Sequence, residues 1–117
     1  MRKIISFFII SALSTSAFAY TDIQYADAIF KAEGGRKAKY LYGIRSVKYK
    51  DEAGARRICL NTIRNNRRRF AEYGHKEYKT FIEFLGSRYC PTKGKLTKAE
   101  KKVNKFWLGN VQYYLGR

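Results

Sequence analysis

Several residue types on which enzymes commonly rely are scarce in this chain. Histidine occurs once, at His75, and cysteine twice, at Cys59 and Cys90. Three such side chains at scattered spacing are too few for a structural metal site, which takes about four nitrogen or sulfur ligands. No metal and no cofactor is expected. Beyond residue 19 the only serines are Ser46 and Ser87. Nothing in the spacing brings either to His75, which sits in a charged turn, so a nucleophilic triad is excluded. Gly34-Gly35 lacks both the following Lys-Ser/Thr and the preceding strand of a phosphate-binding loop. No internal repeat or low-complexity linker is present, and no segment reaches the roughly twenty apolar residues that span a bilayer.

Acidic residues are also few. Asp and Glu total 9 against 25 Lys and Arg, a net charge of +16 over 117 residues. The first nineteen residues, MRKIISFFIISALSTSAFA, have the form of a secretory signal: a basic start at Arg2 and Lys3, an apolar stretch from Ile4 to Leu13, and the small-x-small end Ala17-Phe18-Ala19. Cleavage is expected before Tyr20, giving an exported periplasmic or secreted protein. Removing nineteen of the 117 residues and their two positive charges leaves 98 residues, one domain, and a charge of +14.

That much positive charge on a small exported domain implies polyanionic partners, among them nucleic acid, phospholipid and bacterial wall polymers. Ten tyrosines, one tryptophan and, of eight phenylalanines in all, the five beyond residue 19 supply the apolar surface for a folded core. Each such side chain contributes roughly 1.5–3 kcal/mol when buried. In an oxidising compartment Cys59 and Cys90 are expected to form a disulfide. It would close a loop of about 32 residues, worth on the order of 3.5 kcal/mol in loop-closure entropy.

Helical spacing dominates the chain beyond residue 19. Thr21 and Asp22 can cap a first helix with Ile23, Ala26, Ile29 and Phe30 on one face and Gly34 as its stop. Residues 36–50 lose that period, and Tyr40, Tyr42, Ile44 and Val47 around Gly43 suggest a loop with a short hairpin. Asp51 opens a long second helix, with Ala55, Ile58, Cys59, Thr62, Ile63, Asn66 and Phe70 recurring every three or four residues. Thr80 caps a third, with Phe81, Ile82, Leu85 and Tyr89 inward, ended at Cys90-Pro91. Thr97 and Glu100 form a capping box for a fourth, whose apolar stripe is Val103, Phe106, Trp107, Val111, Tyr114 and Leu115. The expected fold is a small, mainly α domain of four helices around one aromatic core.

Glu33 is out of place in this pattern. It ends the first helix, where a carboxylate faces the negative end of the backbone dipole at a cost of a few tenths to about 1 kcal/mol. Lysine or arginine would suit the position better, and both are plentiful. A disfavoured residue next to an obligatory turn points to a position kept for chemistry. A carboxyl group held protonated by burial and the helix terminus can donate to a leaving oxygen, as glycosidic cleavage requires. The alternative is a surface glutamate at a frayed helix end.

The stretch AEGG…YGI at residues 32–44 resembles the start of the lysozyme-like lytic transglycosylases, in which a catalytic glutamate ends a helix and a glycine-containing loop follows. FLGSRYCPT, then Asn104, Trp107 and Asn110-Val111, is similar to the Arg-Tyr-x-Pro and Asn/Val pattern of bacterial and phage muramidase-like or glucosaminidase-like domains. The resemblance covers the chain from about Ala26 to Tyr114. It departs at Glu33-Gly34, where soluble lytic transglycosylases have Glu-Ser, and at Gly43-Ile44-Arg45-Ser46, where they have Gly-Leu-Met-Gln.

This resemblance implies a lysozyme-like catalytic domain over residues 20–117. Its activity would be cleavage of peptidoglycan strands between N-acetylmuramic acid and N-acetylglucosamine, with Glu33 as the single acid and base. Hydrolytic lysozymes generally set a second carboxylate across the bond. Here Asp51 and Glu52 are nearest, and both suit the start of a helix instead. Candidate substrate contacts are Tyr40, Tyr42 and Tyr89, together with Gly43 and Ser46 of the aligned loop. Arg88 is a candidate partner for a stem-peptide carboxylate or for Glu83. Trp107 reads first as core, and one of Asn61, Asn65 and Asn66 as a contact for the loop or for sugar amides. Peptidoglycan is the expected partner, alongside other anionic wall polymers or a secretion or phage machine, and the protein is expected to be a monomer. The run Arg67-Arg68-Arg69 would suit phosphates, but a solvated helix end explains it more simply, so nucleic acid is disfavoured. The rival class is a non-catalytic cationic module, antibacterial in effect, that binds cell wall or membrane and tolerates loss of Glu33.

Overall fold

The structure is a computed structural model that describes residues 20–89 and 95–117. Among these residues there are four α-helices: α1 (Asp22–Ala32), α2 (Glu52–Glu72), α3 (Phe81–Tyr89) and α4 (Lys98–Tyr114). No strand occurs among the described residues, and none of their helices is long and apolar enough to cross a membrane. The helices close a ring, with α1 against α2 and α4, and α3 against α2 and α4.

Each start is set by local chemistry. At α1 the Thr21 hydroxyl accepts from the Gln24 amide at 3.1 Å, while the Gln24 side chain accepts from the Thr21 amide at 2.8 Å. Thr97 and Glu100 make the same reciprocal pair at α4, at 3.1 and 2.9 Å. Thr80 and Glu83 do so at α3. These boxes satisfy amides that the first helical turn leaves without partners. Asp51 caps α2 by accepting from the Gly54 amide at 2.8 Å. Holding Glu100 in its box lowers its pKa, so the folded-state preference for the carboxylate fades as pH falls through the carboxylate range.

The core lies inside the ring. Ala26, Ile29, Ala55, Cys59, Ile63, Leu85 and Val111 are wholly buried, with Trp107 and Tyr42 close behind. Three residues that the helical period places inward are instead exposed: Ile23 at 57%, Val103 at 64% and Phe106 at 59%. The alanines of α1 account for the first difference. Ala26 and Ala28 are both buried with Tyr25 and Ile29, so the inward face of α1 is centred away from Ile23. Val103 and Phe106 face a groove rather than the core.

The segment after α1, where alternation suggests a short hairpin, forms two 3-10 turns, Gly35–Lys37 and Leu41–Gly43. Its backbone takes positive φ at Gly34, Gly35, Tyr42 and Gly43, which curls the chain back on itself and prevents extended pairing. The Leu41 amide donates to the Tyr49 hydroxyl at 2.9 Å, holding the curl in place.

A second aromatic cluster locks the α2–α3 corner, where Phe84 meets Phe70, Tyr73 and Tyr78 with ring centroids 5.7–5.9 Å apart. Gly74 is buried beneath it, and a Cβ there would lie 2.7 Å from the Phe84 ring. Gly74→Ala is therefore expected to destabilise the domain by about 1–3 kcal/mol through overpacking. Chemical denaturation of parent and variant measures the difference, and coincident curves would contradict this packing.

Candidate functional site

Glu33 is the C-cap of α1. Its amide still donates to the Ile29 carbonyl at 2.9 Å, and the next residue, Gly34, turns the chain away at φ 108°. That conformation is open to glycine and strained for other residues. The helix therefore stops where the sequence indicates, and the carboxylate extends past its end, half-buried.

Two contacts fix the carboxylate. Trp107 donates its indole N–H to Glu33 Oε2 at 3.0 Å, joining side chains 74 residues apart. On the other side the backbone of Gly43 passes so close that a Cβ would lie 2.8 Å from Glu33 Cδ and nearer still to Oε2. Gly43 also holds φ 71°, so glycine is required there both for space and for conformation. Tyr42 precedes it at φ 57°, an outlying conformation for a bulky residue. Burial to 2% exposure, the Phe30 ring at 5.0 Å, and the Arg56 guanidinium donating to its hydroxyl at 3.1 Å hold Tyr42 there.

Trp107 is itself supported from behind. Tyr89 stacks on it with centroids 5.2 Å apart and planes 19° apart. Gly86 leaves room for the indole, since a Cβ there would lie 3.2 Å from Trp107 Cζ3. The Tyr89 hydroxyl is 3.5 Å from Cys59 Sγ on α2. Burial pushes the Cys59 thiol up to about 11 against the opposing pull of that contact, so it is no nucleophile at neutral pH. Cys90 lies outside the described residues, and with it the expected disulfide.

Above Glu33 opens a groove of about 700 Å3. Of the residues singled out in the sequence, the structure brings Glu33, Tyr40, Gly43, Ser46, Arg88 and Tyr89 together in its lining. Tyr42 does not join them; its side chain is core, and its contribution is to place Gly43. Glu33 is the sole acidic residue among the described lining residues, while Asp51 caps α2 and Glu52 pairs with Arg36 at 3.1 Å. No group of three metal-ligating side chains occurs among the described residues.

Other expectations shift. Asn66 is buried, and its side-chain amide donates to the Thr62 carbonyl at 2.9 Å, while Asn61 accepts from Arg64 at 3.0 Å. The asparagines in the groove are Asn104 and Asn110 of α4. Trp107 is core, at 7% exposure, and also part of the site. Glu83 is engaged with Thr80 rather than with Arg88. The arginine run is taken up within the chain: Arg67 binds Asp22 and lies over the Tyr25 and Phe81 rings, Arg68 approaches Glu72 at 3.9 Å, and Arg69 reaches Asn66. Arg45, Val103 and Phe106 line the groove as well. The helical period alone assigns the two apolar ones to the core.

In comparisons with known proteins, no family model, curated sequence or solved structure matches this chain. The contact between Gly43 and Glu33 is testable by itself. Gly43→Ala is expected to cost about 1–2 kcal/mol for a side chain at positive φ and to displace the Glu33 carboxylate from the indole. Trp107 is the only tryptophan, so its emission reports that displacement directly. A variant with parental emission and stability would contradict the packing of Gly43 on Glu33.

Proposed function

We propose that the chain cleaves the glycan strands of bacterial peptidoglycan between N-acetylmuramic acid and N-acetylglucosamine, in the manner of the lysozyme-like lytic transglycosylases that it resembles. The observation that carries this reading is Glu33, the one carboxylate in the described groove lining, fixed through a single oxygen by Trp107. Oε1 is left for the substrate.

The chemistry needs one acid that becomes a base. The protonated Glu33 carboxyl gives its proton to the glycosidic oxygen as the bond from that oxygen to the muramic C1 breaks. The substrate's own N-acetyl oxygen covers the developing positive charge at C1. The Glu33 carboxylate then takes the proton of the muramic 6-hydroxyl while that oxygen bonds to C1. A 1,6-anhydro sugar results, the proton is back on Glu33, and no water is consumed. The lack of a second carboxylate in the described lining favours this route over hydrolysis, which places a partner acid across the bond. Tyr40, 38% exposed at the groove, and Tyr89 offer flat faces to sugar rings. The site would act outside the cytoplasm, as the leader-like first nineteen residues suggest.

A second reading, a non-catalytic cationic module on wall or membrane, is favoured by the charge of +16 and by the exposed lysines of α4. Purified peptidoglycan incubated with parent and with Glu33→Gln separates the two. Mass analysis should find anhydro-ended fragments from the parent and a loss of at least about 10²–10⁴-fold in rate for the variant, with the fold kept. A Gln variant that cleaves at the parental rate would remove Glu33 from catalysis. If neither protein cleaves and both bind the wall equally, the module reading replaces the enzyme.

A further inference from the structure

The groove carries more positive charge than a neutral glycan needs. Arg45 and Arg88 both line it, one from the loop after α1 and the other from the last turn of α3, and both are exposed. Arg45 lies over the Tyr40 ring at 5.1 Å, which holds its guanidinium at the wall of the groove. Among the described residues neither guanidinium is within ion-pair distance of a carboxylate. The basic run of α2 is different, since its arginines are engaged inside the chain. The acid at the centre of the groove is bound to the indole rather than to either arginine.

Two uncommitted guanidinium groups beside one acid leave the lining with an excess of positive charge. Arginine offers a planar fork of donors that matches a carboxylate with two parallel hydrogen bonds. Around them the groove presents exposed apolar side chains, Val47, Val103 and Phe106, at 50, 64 and 59% exposure. Those surfaces suit the methyl groups and ring faces of N-acetylated sugars.

We infer that Arg45 and Arg88 select a carboxylate carried by the glycan, so that the groove takes acidic, muramic-type strands in preference to uncharged N-acetylglucosamine polymers. This rests on the glycan-cleaving reading and adds to it the residues that set specificity. The carboxylate has two sources with the same chemistry: the peptide stem, whose amide bond takes up the lactyl carboxyl, and the lactyl group itself on sugars that carry no stem. Neither arginine touches the scissile bond in this scheme; they position the strand over Glu33.

The test is a binding titration followed by Trp107 emission, which is independent of whether any bond is cut. Three ligands of equal sugar length are compared: peptide-bearing peptidoglycan fragments, the same fragments stripped of peptide, and chitin oligosaccharide. The parent should bind the peptide-bearing fragments at least tenfold more tightly than chitin oligosaccharide. If stripping the peptide removes the advantage, the groove reads stem carboxylates alone; if the advantage survives, the groove also takes the lactyl carboxylate that stripping sets free. Arg45→Gln with Arg88→Gln should collapse the preference while circular dichroism stays parental. Lys101→Gln with Lys102→Gln removes the same charge outside the groove lining and should leave the preference intact. Equal affinity for acidic and uncharged ligands would overturn the inference. So would a preference that survives the arginine pair or falls equally with the lysine pair. Absence of cleavage by a parent that still shows the preference would count against the enzyme and not against this selectivity.

Discussion

The hydrogen bond from the Trp107 indole to Glu33 ties the molecule together. It joins the end of α1 to the middle of α4, and the indole that makes it is stacked on Tyr89 of α3. Tyr89 in turn reaches Cys59 of α2. One ring and its immediate contacts therefore register all four helices against each other. A hydrogen bond contributes about 0.5–1.5 kcal/mol net, and a buried indole N–H left without an acceptor costs about 1–3 kcal/mol. Loosening any of the four helices would move the carboxylate. Stability and site geometry are thus coupled through a single side chain.

The loop after α1 completes this arrangement from the other side. Residues 40–43 do not reach Glu33 by extended pairing but by a tight curl through Tyr42 and Gly43 at positive φ. Such a conformation at a tyrosine persists only where its surroundings over-determine it. Phe30 and Arg56, from α1 and α2, supply those surroundings. Arg56 also binds Asp27 at 2.9 Å, so the same guanidinium fastens α2 to α1 and the loop to both. The carboxylate is held between a rigid ring and a backbone that only glycine permits.

Much of this is legible in the residues. The four helices, their caps at Thr21, Asp51, Thr80 and Thr97, and the stop after Glu33 come from local rules that act within a few residues, and the structure has them all. The oddity of an acid at a helix C-terminus also points to the groove. What the pattern does not carry is long-range geometry. Tyr42 and Tyr40 look alike in the sequence, yet one is core and the other lines the groove, because Tyr42 lies inside a curl that periodicity does not encode. Val103 and Phe106 keep a helical period with Trp107, but the core holds only the Trp107 and Val111 side of α4. A groove wall and a core face have the same apolar signature, and only the neighbouring elements distinguish them. The pairing of Trp107 with Glu33, across 74 residues, has no local signal at all.

The central claim is that the Glu33 carboxyl and the Trp107 indole behave as one unit at the base of the groove. Because the chain has a single tryptophan, its emission reports on the indole alone. Glu33→Leu, which removes the acceptor at similar size, should change the position or intensity of that emission while circular dichroism stays parental. Emission identical to the parent would show that the indole does not meet the Glu33 side chain, and would contradict the pairing on which the site is built.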